Sequence, residues 1–418
     1  MSLLAADETR NLIKDTTHLS IGQAFRLVIQ AAYFVLIARS LGPDAFGAFV
    51  TVVAMAALLG PFSGLGAANL FIKNVRSGKR VAAVCWGNGM LVTGVSGILL
   101  SLLGLGLSLL LRLKTSVFVV IMVSISDLVL LKVSELAAAG FTALDRMPQT
   151  SVQNVAMSLL RLAGIATLIV TMHPVTLDRW AAVYLLTSLL GAAYAVGKGS
   201  QLWAGPAADI PALWEDITEG IFFSIAGSAT TVYNDIDKIM LNRLSDLAAT
   251  GVYAAAYRVI DVTMAPVRSL AAAAYPQFFR RGVDGLPGTY RYARSLIKKT
   301  TVYGSLATIG LVLFAPLLPH ILGSKYDPVV PAVRWLALIP FLRCIHSFLA
   351  DSLSGAGLQP VRMGIQVVVA LINIGANLII LPRYSWRGAA WTSLACDGLL
   401  VAAFWCAILR CRLPRRST

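Results

Sequence analysis

The sequence predicts an all-α polytopic membrane protein with twelve transmembrane helices in two six-helix lobes, related as a parallel repeat. Three observations predict it. Hydrophobic types make up 57% of the 418 residues and charged types only 13%, where a soluble globular chain carries about 25% charged residues. The apolar residues fall into twelve segments, each near the ~20 residues that cross a bilayer. A short motif also recurs at half-chain spacing.

The segments run over 17–40, 46–72, 81–111, 116–142, 151–172, 179–203, 217–242, 249–275, 300–322, 329–357, 361–382 and 387–409. The first and seventh carry polar residues throughout. Gly and Pro inside several of them are compatible with membrane helices. The stretch before the first segment holds Asp7, Glu8 and Asp15, unlike a signal peptide. Twelve spans leave no length for a sizeable soluble domain, and the expected domains are residues 1–205 and 206–418.

Charge sets the orientation. With the N-terminus inside, the inner connections and termini carry 19 Lys and Arg, the outer connections 8, and the spans themselves 8. Lys and Arg accumulate on the cytoplasmic side, so both termini are expected in the cytoplasm, with Arg280–Lys299 as the main cytoplasmic loop. The net charge of +15 is explained this way. No nucleic-acid motif accompanies it, and no nucleic-acid partner is expected. The five cysteines form no CxxC pair and lie mostly in apolar runs, as small buried hydrophobes do.

The repeat reads LIARSLGPDAFGAF in the first half and MLNRLSDLAATGVY in the second. Arg39, Gly47 and Phe49 align with Arg243, Gly251 and Tyr253 at a constant offset of 204. Each copy sits between the first and second span of its half. An even number of spans per half makes the repeat parallel, with the transport path between lobes.

The stretches Ser20-Ile-Gly-Gln, Ala38-Arg-Ser-Leu-Gly-Pro-Asp-Ala-Phe-Gly47 and Asp235-Ile-Asp-Lys-Ile-Met-Leu with Gly251-Val-Tyr-Ala-Ala-Ala-Tyr-Arg258 resemble polysaccharide-transport flippases. That family shares a superfamily with multidrug and toxin extrusion antiporters and the lipid II flippase. The resemblance implies two six-helix lobes around a central cavity. It also implies flipping of undecaprenyl-pyrophosphate-linked oligosaccharide across the bacterial inner membrane for O-antigen, capsule or exopolysaccharide assembly. Partners would be the lipid-linked substrate, membrane lipids, and a polymerase and glycosyltransferases.

An ionisable group inside a span is costly and marks a cavity or a partner. Span 1 places Gln23, Arg26, Gln30 and Tyr33 on one helical face, read as cavity lining, as an interfacial amphipathic helix, or as an arginine paired with an acid on a neighbouring helix. Span 5 carries Asn154, Ser158 and Arg161; Arg161 lies near mid-membrane with no acid at i±3 or i±4, and Asp127 is the alternative partner across helices. In span 4, Lys132 and Glu135 suit an i, i+3 pair. Asp235, Asp237 and Lys238 of span 7, with Arg258 and Asp261 of span 8, read as an outer ion-pair network or gate. Arg258 pairs there with Asp261, Asp235 or Asp237. Arg268 has no acid at helical spacing in its inward direction. Span 10 holds Arg343, His346, Ser347 and Asp351, and span 11 Gln366, Asn373 and Asn377.

The expected substrate-binding residues are therefore Arg26, Arg268, Arg161, Arg343, Gln30 and Asn154, with Arg26 and Arg268 on a shared central cavity. Guanidinium groups suit a pyrophosphate because they form charge-assisted, often bidentate bonds to phosphate oxygens. Asp127, Asp235, Asp237, Lys238, Arg258 and Asp261 are the expected gate or ion-coupling groups. No catalytic role, cofactor or metal is expected. Gly191–Gly199 departs from the phosphate-loop spacing, and the four histidines lack metal spacing. Gly60-Pro-Phe-Ser-Gly64 and Pro266 are read as paired bends. A drug or cation antiporter is the alternative function, and a non-transporting scaffold in an envelope-polymer complex is a third.

Overall fold

The structure is a computed structural model that describes residues 2–172, 174–203 and 206–412, with side chains from Phe25 onward apart from a few positions between Phe222 and Asn234 and at Arg412. The described residues are helical and contain no strand. The helices are α1 (Ser2–Leu59), α2 (Ala67–Arg76), α3 (Ala82–Leu110), α4 (Val117–Ile125), α5 (Leu131–Ala143), α6 (Met147–Thr171), α7 (Leu177–Leu202), α8 (Ile210–Leu244), α9 (Leu247–Thr263), α10 (Ala265–Arg281), α11 (Gly285–Phe314), α12 (Leu318–Leu322), α13 (Val329–Leu336), α14 (Ile339–Gly355) and α15 (Gln359–Arg412).

Among the described residues, eight helical stretches are long and apolar enough to cross a membrane. Three of them exceed 50 residues and divide. Gly42 breaks α1 with φ 75°, just before Pro43. Ser385 breaks α15 with φ 55°, and the turn Gly282–Asp284 separates α10 from α11. With α8 counted, six crossings fall before Leu202 and six after Ile210. The twelve segments read from hydropathy are these crossings.

The burial pattern is that of a membrane protein. On α3, Gly97, Ser101, Gly104 and Ser108 are buried at helical spacing while Val95, Ile98, Leu99, Leu102 and Leu103 are exposed. Small residues face neighbouring helices, where they allow close backbone approach, and large apolar residues face outward.

The chain folds as two compact units, Met1–Leu41 with Thr51–Thr231, and Gly42–Val50 with Val232–Thr418. In the first, α2 and α5 pack together, and α7 lies against α4, α5 and α6. Its core surrounds Trp203, whose ring lies 5.3–5.7 Å from those of Trp86, Phe141 and Phe71. In the second, α14 packs on α10, α11 and α15, and α13 on α9. Phe278, Leu296, Cys344 and Phe348 form one part of that core.

The segment 42–50 belongs to the second unit because the two copies of the repeat touch. A Cβ on Gly47 would strike the backbone of Leu247 and Gly251, and a Cβ on Gly251 would strike the backbone of Pro43. The repeated glycine is thus a contact between the two copies.

The expected bends exist. Helical geometry breaks over Gly60–Gly66, where Gly64, Leu65 and Gly66 all take positive φ. A second break at Met264 puts Pro266 in the first turn of α10, where its missing N–H costs nothing. The stretch Arg280–Lys299, expected as the main loop, is helical for most of its length. It is the end of α10, a one-turn connection and the start of α11. Leu286, Thr289, Ala293, Leu296 and Thr300 are buried at 3–4 residue spacing, so an amphipathic stripe makes the segment helical.

Candidate functional site

Within the first unit, a cavity of about 590 Å³ is lined by Ser63, Asn69, Thr93, Asp127, Lys132, Glu135, Arg161, Tyr184 and Thr231, among others. Four ionisable groups from two helical segments therefore share one polar space among membrane-spanning helices.

Asp127 stands in a π-helical turn, Ser126–Leu130, joining α4 to α5. Such a turn shifts the hydrogen-bond register and frequently occurs at functional sites. The Leu128 carbonyl accepts from the Ser63 hydroxyl, at the break that ends α1. Gly97 of α3 has no room for a Cβ against that same carbonyl.

The Tyr184 hydroxyl donates to Asp127 Oδ1 at 2.7 Å. The Arg161 guanidinium lies 4.3 Å from the Tyr184 ring centroid, with Nη2 at 3.6 Å from Asp127 Oδ1 and 3.5 Å from the Ser188 hydroxyl. Arg161, expected as an arginine without a local acid, thus meets the cross-helix partner considered for it. The guanidinium is held over a ring face and beside a carboxylate at once. Lys132 and Glu135 form the expected i, i+3 pair at 2.7 Å. Tyr184 was not expected. Its only signal in the sequence is a 4-residue line with Trp180 and Ser188, which ordinary packing also produces.

Of the remaining first-unit candidates, Arg26 and Gln30 are half-buried. Tyr33, on the same face, has its ring 5.6 Å from that of Trp180. Asn154 is half-buried on α6, while its neighbour Gln153 is buried and donates to the Ser134 carbonyl at 2.6 Å. None of Arg26, Gln30 and Asn154 lines the cavity described above.

The second unit arranges its charges differently from expectation. Lys238 pairs with Asp235. Asp237 is enclosed by neutral donors: Asn377 at 2.7 Å, Tyr253 at 2.8 Å and Ser393 at 3.0 Å. Asp261 was one of the three acids expected as partners for Arg258. It lies instead 3.6 Å from Arg268 and 3.9 Å from Arg343. Arg268 also donates to the Asp261 carbonyl at 2.7 Å. Asp261 and Arg268 stand seven positions apart on one helical face, and the long Arg268 side chain reaches back toward the N-terminus across the Met264 joint. Arg343 is 3.5 Å from the buried Asp397, which His346 also contacts at 3.1 Å. Arg258 is half-buried and makes no ion pair among the described residues. Asp351 pairs with Arg362 at 3.1 Å.

A third charged group surrounds the α2–α3 connection of the first unit. Lys73 meets Glu219, Lys79 and Arg80 meet Glu215, Arg80 meets Asp216, and Arg76 meets Asp145 at 2.6 Å. The hydrogen bond from Lys79, followed by its charge, holds the Glu215 carboxyl below the usual glutamate range.

Comparison with known proteins places this geometry in context. The fold is similar to an inward-facing multidrug resistance MATE family transporter of the MOP superfamily, at TM-score 0.74 and 14% identity over 96% of this chain and 99% of that one. It is similar to the lipid II flippase MurJ in an inward closed conformation, at TM-score 0.76 and 12% identity over 94% and 87%. It is also similar to a MOP superfamily transporter from Pyrococcus furiosus, at TM-score 0.64 and 15% identity over 95% and 96%. No curated protein matches. The polysaccharide biosynthesis protein family matches residues 12–281, about two thirds of the chain, and this multi-pass membrane protein belongs to that family.

Proposed function

We propose that this protein is a flippase for undecaprenyl-pyrophosphate-linked oligosaccharide, acting in the bacterial inner membrane with both termini in the cytoplasm. The observation that carries the reading is the family match over residues 12–281, in a chain whose first unit holds a polar cavity among membrane-spanning helices. At about 590 Å³ the cavity falls within the roughly 300–1,000 Å³ of ligand sites. Its hydroxyls and amide suit sugar hydroxyls.

The chemical problem is the head group. A pyrophosphate diester carries two negative charges that hydrocarbon does not solvate. Arginines held in the membrane interior supply fork-shaped donors for it. Arg26, Arg161, Arg268 and Arg343 are the proposed phosphate ligands, with Gln30 and Asn154 for sugar hydroxyls. Arg161 is already positioned by Tyr184 and Asp127. Asp127, Asp235, Asp237, Lys238, Arg258 and Asp261 are proposed to set the gates or couple an ion.

Removal of the gene should cause a lipid-linked oligosaccharide to accumulate on the cytoplasmic leaflet and surface polymer to disappear. Arg26→Ala with Arg268→Ala should reproduce the loss at unchanged protein level. The balanced pairs Asp127/Arg161 and Lys132/Glu135 favour a second reading, a cation antiporter, because such a cavity is not anion-selective by charge alone. Normal surface polysaccharide with drug hypersensitivity in the deletion strain would establish that reading instead.

A further inference from the structure

The two halves of the chain treat the cations around corresponding connections in opposite ways. Arg76 and Gly78 at the α2–α3 connection correspond to Arg280 and Gly282 at the α10–α11 connection, at the same offset of 204 as the repeat. In the first unit, Lys73, Arg76, Lys79 and Arg80 all have acidic partners: Glu219, Asp145, Glu215 and Asp216. In the second, Arg280, Arg281, Arg291, Arg294, Lys298 and Lys299 are all exposed. None of the six forms an ion pair among the described residues, and Arg281 lies 3.9 Å over the Tyr292 ring. Asp284 is the one acid in the stretch.

The surroundings show what these charges face. Along one stripe of α11, Arg291, Arg294 and Lys298 continue at helical spacing into Val302, Leu306, Ile309 and Leu313, and all seven residues are exposed. The apolar half of the stripe is a lipid-facing surface. Lys298 lies one turn, about 6 Å, before it, and Arg291 about 16 Å, at 1.5 Å per residue. Lys298 thus falls within the headgroup layer, roughly 5–7 Å deep on each side of the hydrocarbon core, and Arg294 and Arg291 lie beyond it, within about one Debye length of a charged leaflet. Beside the cations, Phe279 is 50% and Val283 90% exposed; water does not favour such residues, and the interface does. The hairpin is also fixed in place. Gly282 sits so close to the Gly355 carbonyl at the end of α14 that a Cβ has no room.

We propose that the stripe Arg291–Arg294–Lys298, with Lys299, Arg280 and Arg281 beside it, binds the phosphate headgroups of anionic phospholipids. Attraction of clustered Lys and Arg to an anionic leaflet is additive and screened by salt. At the corresponding place in the first unit, acids on α8 and beside α5 pair with the cations of the α2–α3 connection, and α3 carries Gly87, Met90, Gly94 and Val95 where α11 carries Arg291, Arg294, Lys298 and Lys299. The inference does not depend on which substrate is transported.

The test uses the purified full-length protein in a neutral detergent, with phosphatidylglycerol or phosphatidylcholine added in equal amount, and follows thermal unfolding. Phosphatidylglycerol should raise the midpoint by several degrees more than phosphatidylcholine, and high salt should erase the difference. The variant R291Q/R294Q/K298Q/K299Q should unfold at the wild-type midpoint in phosphatidylcholine and lose the phosphatidylglycerol effect. Should it not fold, R294Q/K298Q should at least halve the effect. Equal shifts with both lipids, or a full shift retained by the variants, would overturn the proposal. So would stabilisation by polyglutamate but not by phosphatidylglycerol, which would assign the surface to an acidic protein partner.

Discussion

Removing the Arg161 side-chain charge should expose how the first-unit cavity is held together. Arg161 Nη2 and Asp127 Oδ1 are 3.6 Å apart, and the side chains are 20% and 12% exposed. At an effective dielectric of about 20, that separation gives a gross attraction of about 5 kcal/mol. The separation exceeds that of a good hydrogen bond, and part of the attraction offsets desolvation. Breaking a buried pair from one side typically costs about 3–5 kcal/mol, because the other charge is stranded. Arg161→Gln should therefore destabilise by about 3 kcal/mol, since it also gives up the contact with the Tyr184 ring. Asp127→Asn should cost less, about 1–2 kcal/mol, because Tyr184 can still donate to the amide oxygen and the Arg161 cation keeps the Tyr184 ring face and the Ser188 hydroxyl. The double variant should fall short of the summed effects by about 2 kcal/mol, the measure of their coupling. Unfolding in mixed micelles of neutral detergent and dodecyl sulfate would supply all four free energies. Additivity within about 0.5 kcal/mol, the tolerance for independent sites, would show that the two side chains are not energetically paired.

Further outcomes follow from single contacts. Gly251→Ala should destabilise by roughly 1–3 kcal/mol or more, because the added methyl meets the Pro43 backbone, which cannot rotate away. Gly94→Ala, with open space at its Cβ, should be neutral or stabilising by up to about 1 kcal/mol, and equal effects at the two sites in the same assay would refute the contact. Ser63→Ala should cost about 1–3 kcal/mol, since it leaves the Leu128 carbonyl of the π-helical turn without its donor; export should fall with stability, and a neutral result would show the carbonyl satisfied otherwise. The Glu215 carboxyl is held low by Lys79, so its stabilising contribution is present above the ordinary glutamate value and disappears as pH falls through the depressed one. Amide exchange across residues 210–219 should stay protected at about pH 5, above the ~4.3 of an ordinary glutamate, and quicken only well below it; unchanged protection at strongly acidic pH would argue against the ion pairs as the fastening.

Much of the molecule was legible one residue at a time. Twelve apolar segments are visible because each membrane helix satisfies its own backbone hydrogen bonds, so its length and composition answer to the bilayer alone. The Lys132–Glu135 pair was legible for the same reason, since a separation of three residues fixes proximity within a helix. The repeat around Gly47 and Gly251 was visible as a repeat. That the two glycines touch was not, because nothing in either segment states which surface it meets.

The remainder depended on tertiary structure. Arg161 could be flagged as costly from its depth, and Asp127 named as one possible answer, but only the packing of α7 between α6 and the π-helical turn brings guanidinium, ring and carboxylate together. The turn itself has no sequence signature, and Tyr184 looks like any aromatic on an apolar helix. Arg268 was expected to lack an acid because none stands at helical spacing in its inward direction; its long side chain instead turns back to Asp261, seven residues earlier. The sequence alone determined composition, segment length and spacing within a helix, which are local quantities. Which charges neutralise one another was decided only by the tertiary structure, because ion pairing acts through space between helices whose mutual depth and rotation no local pattern encodes.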